Sequence, residues 1–204
     1  MIINLSALSK DSVYHTLTQV IVPRPVAWVL SEHANGKFNL APFSYFSAVC
    51  SDPPIVMISV GKKPDGSEKD TYKNIVEREH FVIHIAGADM ASVVTQSSVV
   101  LPAGESELEI CQLATENVEG FNLPRVVGAP IAMSCRLYQH SEIGNSGQKM
   151  VLGEIEKIWI DEDVLSYDDK GRMKVLPARL NPLGRLGGIE YGVLGEILRI
   201  PRPG

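Results

Sequence analysis

The stretch Asn39 to Pro54, NLAPFSYFSAVCSDPP, followed at once by Ile55-Val56-Met57-Ile58-Ser59-Val60, decides how this chain is read. It sets small and hydroxyl residues between aromatic ones and stops at an Asp52-Pro53-Pro54 corner before an apolar strand. Few long charged side chains stand in it, so another molecule can approach its backbone closely. It is also too apolar for an ordinary solvated loop. Together these features describe a rim for a flat ligand with a polar tail.

Upstream, Pro23-Arg24-Pro25 leads into Val26 to Leu30, a β-branched and aromatic run of strand length. Asn35-Gly36 supplies residues that tolerate positive φ, as a tight hairpin turn requires. Lys37 to Ala41 is expected to return antiparallel, with Pro42 ending regular pairing. Downstream, Ile55 to Val60 and Phe81 to Ala86 read as strands. Between them DTYKNIVERE, Asp70 to Glu79, places Tyr72, Ile75 and Val76 at helical spacing, with Asp70 and Thr71 as N-cap types. Asp89 to Gln96 and Ser106 to Ala114 are two further short helices. Pro130 opens a strand in which Ile131, Met133, Cys135 and Leu137 alternate with Ala132, Ser134, Arg136 and Tyr138. Met150 to Ile160 is its antiparallel partner across the loop Gly144 to Lys149. The pattern is mostly β, an antiparallel barrel with helices packed outside it.

A chain of 204 residues suits one domain, taken here as 1–204 with a core at about 22–165 and a C-terminal arm at about 175–204. At that size roughly 70% of the extended surface can be buried, so neither disulfide nor metal is needed for folding. Lys and Arg total 19 against 24 Asp and Glu, a formal net charge of -5, which argues against general nucleic-acid affinity. Cys50, Cys111 and Cys135 are odd in number and lack CxxC spacing, so a disulfide scaffold or structural zinc is not expected. The N-terminus lacks the pattern of a signal peptide, and no apolar run reaches the roughly 18 residues of a membrane span. The expectation is a soluble, cytoplasmic protein.

No Gly-x-Gly-x-x-Gly or P-loop is present, and strands do not alternate with helices, which excludes a Rossmann domain. The other common phosphate device is a helix N-terminus beside a cation, and Lys69-Asp70-Thr71 with Asn74 supplies it. Asp70 is expected to turn away from a bound anion. The ordered set of these features, continuing to Arg185-Leu186-Gly187-Gly188-Ile189-Glu190-Tyr191, resembles the flavin reductase-like family of FMN-binding split-barrel proteins, which includes flavoredoxin-type proteins. The likeness runs from about Val22 to Gly195.

That resemblance implies a six-stranded Greek-key split barrel, a homodimer, and FMN between the barrel and the partner subunit. It assigns Ser44, Tyr45 and Phe46 to the ribityl chain and ring. It sets Ala48, Val49 and Cys50 along the isoalloxazine edge, and Lys69, Thr71 and Asn74 on the phosphate together with Arg24. Trp28 is placed nearby. Shorter members of the family carry serines where Ala48 and Cys50 stand, so only backbone contacts carry over at those two positions. No catalytic side chain is assigned, because a flavin performs its own redox step and the protein supplies binding and electrostatics.

Three sharper readings are weighed against plainer ones. Cys50 has no resolving cysteine beside it and reads as packing. His80 and His84 share a strand face roughly 13 Å apart, too far for one metal ion. Gly187-Gly188 is either a lid bringing Arg185 or Tyr191 to the flavin or a turn before a packed segment. The function implied is an NAD(P)H-dependent flavin reductase passing electrons to a flavin or another small acceptor. The alternatives are an electron carrier reduced by a protein partner and a flavin-binding module without turnover.

Overall fold

The structure is a computed structural model and describes residues 1–203. Seven strands form one antiparallel sheet: β1 (Ala27–Glu32), β2 (Phe38–Phe43), β3 (Phe46–Ser51), β4 (Pro54–Val60), β5 (His80–Ile85), β6 (Ile131–Ile143) and β7 (Gln148–Ile160). Their order is β2-β1-β5-β6-β7-β4-β3. The two edge strands, β2 and β3, are consecutive in the chain and joined by Ser44-Tyr45 alone. The sheet therefore curls until its edges meet at one covalent turn. No ladder bonds β2 to β3, and the strands number seven, where six in a Greek-key barrel were expected.

Period-two alternation builds a core on each face of the sheet. Ala27, Val29, Phe81, Ile83, Met133 and Cys135 point to one cluster, sealed by Tyr72 and Ile75 of helix α2 (Asp70–Arg78). Trp28, Leu30, Val82 and Ala132 point to the other, covered by Val94 of α3 (Ala91–Gln96) and Leu108 of α4 (Glu107–Cys111). Both faces of the central strands are thus buried, which explains why Val26 to Leu30 is a continuous apolar run.

Two expectations about local structure are corrected. Pro42 does not end pairing, because β2 is an edge strand and Pro42 stands opposite Trp28 with no ladder bond required of its nitrogen. The rim sequence after Tyr45 is itself a strand, β3, paired with β4 from Phe46 to Ser51. Helix α1 (Lys10–Val20) was not expected; it is capped by Ser9, whose hydroxyl accepts the Ser12 N–H at 3.2 Å. The tail beyond Lys174 folds back: Gly184–Arg185 pairs with Arg24–Pro25 and with Tyr191–Gly192, and Leu183 is buried. No helix among the described residues is long and apolar enough to cross a membrane.

Candidate cofactor site

The turn Ser44-Tyr45 is held by the Ser59 N–H, which donates to the Tyr45 carbonyl at 2.9 Å. Around it lie two clefts. A polar cleft of about 240 Å³ is lined by Tyr14, Phe43, Lys62, Lys69 and Gln148. An apolar one of about 380 Å³ is lined by Pro25, Phe46, Met57, Ile143 and Met150. Both share Ser44, Tyr45 and Ser59, so they adjoin at the turn. The polar cleft in turn shares Pro42 and Lys69 with a small cavity of about 70 Å³ at the start of α2.

Helix α2 begins without a side-chain cap. Its N-cap residue is Lys69, not Asp70 or Thr71, and no side chain bonds the first-turn amides. Such amides, with the helix dipole behind them, favour an anion. Lys69 is half-buried with no carboxylate in ion-pair range among the described residues, and its ammonium stands 5.4 Å from the Phe43 ring centroid. Burial holds its pKa below the usual lysine value. A bound anion would restore the charge's lost solvation. Asp70 does not turn away as expected: it lines the same cavity, with its charge matched by Lys63 at 2.7 Å.

The remaining expected residues divide three ways. Ser44, Tyr45 and Phe46 line the clefts, as Lys69 does. Thr71 borders the small cavity, buried, with its Oγ1 accepting from Asn39 Nδ2 at 2.8 Å, which leaves the hydroxyl hydrogen to donate. Ala48, Val49 and Cys50 lie exposed on edge strand β3 and line none of these three cavities. Cys50 is therefore not packed, contrary to expectation; its thiol donates to Asp52 O at 3.2 Å.

Three others are engaged with partners inside the chain. Asn74 is buried against β1, with Nδ2 donating to Ser31 Oγ at 3.2 Å, away from the small cavity. Arg24 borders the apolar cleft, but four of its five donors are already engaged within the chain. Its guanidinium bonds the carbonyls of Thr18 (2.8 Å), Ile21 (2.6 Å) and Leu186 (2.9 Å), and its Nε lies 3.4 Å from Ser44 Oγ. Trp28 is fully buried on the far face, its indole N–H donating to Ser97 Oγ at 2.8 Å. Arg185 and Tyr191 are the plain turn: the guanidinium stacks 4.7 Å from the Tyr191 ring across a hairpin with Gly188 at φ 58°.

Residues missed in the sequence are Tyr14, Lys62, Met57, Ser59, Gln148 and Met150. The alternation of Val56, Ile58 and Val60 against Met57 and Ser59 carried a signal for two of them, since the former fill the core. Nothing local linked Tyr14 to Tyr45, whose ring centroids lie 6.4 Å apart.

The sequence model described as "Flavin reductase like domain" matches residues 20–176. An uncharacterized protein of Halalkalibacterium halodurans is 33% identical over 207 residues, covering 100% of this chain and 97% of its own. Among solved structures, nitrilotriacetate monooxygenase component B from Bacillus cereus superposes with a TM-score of 0.89 at 32% identity, covering 98% of both chains. The 2-nitrobenzoate 2-nitroreductase NbaA of Pseudomonas fluorescens gives 0.88 at 31%, covering 100% of this chain and 96% of its own. Flavoredoxin of Desulfovibrio vulgaris (Miyazaki F) shares the fold, with a TM-score of 0.74 at 21% identity, covering 98% of this chain and 97% of its own. The family model covers well over half of the chain, and two solved structures above 30% identity match it almost end to end; the chain belongs to the flavin reductase-like family.

Proposed function

We propose that this chain binds FMN and works as an NAD(P)H-dependent flavin reductase. The observation that carries the reading is the adjacency of the clefts: a polar one beside an uncapped helix start and an apolar one beyond Ser44-Tyr45. Lys69, Thr71 and the first amides of α2 would hold the phosphate. Ser44, Tyr45 and Ser59 would meet the ribityl hydroxyls, and Phe46, Met57 and Met150 would shelter the ring from water. When bound, the flavin supplies the redox chemistry, taking hydride from reduced nicotinamide and passing electrons to a flavin or another small acceptor. The protein's part is to bind, orient and exclude water.

The apolar cleft opens beside exposed β3, whose outward amides and Ala48, Val49 and Cys50 await a partner. We therefore read the functional unit as a homodimer with β3 at the interface, cytoplasmic, each protomer one domain over 1–204. Similarity above 30% to a monooxygenase component and a nitroreductase supports an oxidoreductase; likeness to flavoredoxin rests on fold alone.

Two measurements test this. Lys69→Ala with Thr71→Ala should weaken FMN about tenfold to a hundredfold, the weight of lost charge-assisted bonds, while riboflavin binding barely changes. Equal losses for both ligands would refute the phosphate assignment. Anaerobic NADH or NADPH should bleach the bound flavin. Bleaching by dithionite alone would make the protein an electron carrier.

A further inference from the structure

Glu107 begins the short helix α4 and is 5% exposed, yet no lysine or arginine among the described residues lies within ion-pair distance of it. Its Oε2 accepts the Leu40 N–H of edge strand β2 at 2.8 Å. Glu107 also borders the small cavity at the start of α2, together with Lys69, Thr71 and the Lys63–Asp70 pair. Every charged group around that cavity is therefore countable. Lys63 and Asp70 cancel. Lys69 contributes one positive charge, and Glu107, when ionised, cancels it.

The other groups near Glu107 leave this balance intact. Segment 97–101 brings only the hydroxyls of Ser97 and Ser98, and β2 brings Asn39. Glu105 and Glu109, on the same stretch as Glu107, pair outward with Lys37 at 3.7 and 3.0 Å. The Cys111 thiol stays protonated, its pKa raised by burial and by Glu107. Burial likewise raises Glu107 above the ordinary carboxylate value, partly opposed by the Leu40 amide.

We propose that Glu107 is a specificity-setting group that makes phosphate binding at this cavity proton-linked: the anion is held more tightly when Glu107 carries a proton. This rests on the phosphate assignment above and adds a regulation to it. A phosphomonoester brings about -1.5 to -2 charge. With Glu107 ionised it enters a neutral cavity; with Glu107 protonated it enters one of charge +1. At a separation of several ångströms and an effective dielectric near 20, that difference is worth roughly tenfold in affinity after screening.

FMN and riboflavin are titrated by fluorescence quenching against the full-length, flavin-stripped protein and Glu107→Gln between pH 5 and pH 8. The glutamine can still accept the Leu40 N–H, so β2 stays covered; thermal melts of both proteins verify that. The ratio of wild-type to variant Kd for FMN should rise with pH, toward about tenfold where Glu107 is ionised. Taking the ratio cancels the phosphate's own ionisation near pH 6. For riboflavin it should stay at one. A ratio for FMN that stays constant with pH, or a variant that binds FMN more weakly at pH 8, overturns the proposal. Lys69→Ala is run in parallel. If it fails to separate FMN from riboflavin, the phosphate assignment itself falls. If it separates them while Glu107→Gln shows no pH-dependent ratio, only the proton linkage falls.

Discussion

His84 is fully buried in β5, and both of its ring nitrogens are used. The Val126 N–H donates to Nε2 at 2.9 Å, so Nε2 is the acceptor and Nδ1–H donates to the Trp28 carbonyl at 3.0 Å. That tautomer is neutral, and burial lowers the ring's pKa from 6.5 to about 4. At pH above 6.5 neither folded nor unfolded chain protonates it. Below 6.5 the unfolded chain gains a proton that the folded one refuses until about pH 4. Stability should therefore fall by about 3 kcal/mol across that window from this residue. Denaturant melts of wild type and His84→Gln check it: the variant is less stable at pH 7 but has a flatter slope between pH 6.5 and 4. Gly153 sets a second residue-scale constraint. A Cβ there would stand 2.4 Å from Phe81 Cζ, and that ring is locked in the core. Gly153→Ala should cost about 1–3 kcal/mol by overpacking, read as a lowered urea midpoint at unchanged m.

Among the elements, Arg24 acts as a clamp. One buried guanidinium joins the end of α1, the C-terminal hairpin and Ser44 of the cofactor turn. Arg24→Ala would leave three carbonyls short of a donor, at about 2–4 kcal/mol. Hydrogen exchange should quicken in 10–20 and 184–192 together, while β5 and β6 stay protected. Loss of protection in α1 alone would mean that the hairpin is held by its own pairing. The two sheet edges are treated differently. β2 is covered: Ser106 Oγ donates to Phe38 O at 2.5 Å, and Glu107 takes the Leu40 amide. β3 has no such cover among the described residues, and Val49 there is 57% exposed.

At the scale of the molecule, the open edge strand next to the proposed ring cleft is where the proposed homodimer would pack. Val49→Asp should convert a dimer to monomer in sedimentation velocity and weaken FMN and riboflavin alike, since it acts on the ring's cover and not on the phosphate. A monomeric wild type with full FMN affinity would remove β3 from the binding account. Legibility in the sequence followed the range of the forces involved. Strands β1, β4, β5, β6 and β7 and helix α2 were readable within a residue or two, because alternation and helical spacing are local. Where Trp28 and Asn74 point was not legible, because sharing a strand or a helix with a site says nothing about which face is turned to it. The anchoring of Arg24 was not legible because its partners lie as far as Leu186, 162 positions along the chain. Tyr14, Met150 and Gln148 reach the clefts only through folding.

By itself the sequence determined a mostly β, antiparallel chain, the Asn35-Gly36 turn, the start of α2 at Lys69-Asp70-Thr71 and a rim at Ser44-Tyr45-Phe46, all of which depend on neighbours a few residues apart. The tertiary structure alone decided that NLAPFSYFSAVCSDPP spans both edges of one curled sheet. It also decided that the polar and apolar clefts meet at its turn, and that Glu107, 38 positions after Lys69, shares a cavity with it. Those outcomes depend on sheet curvature and on which distant groups can satisfy one another's charges and hydrogen bonds, and no local pattern encodes either.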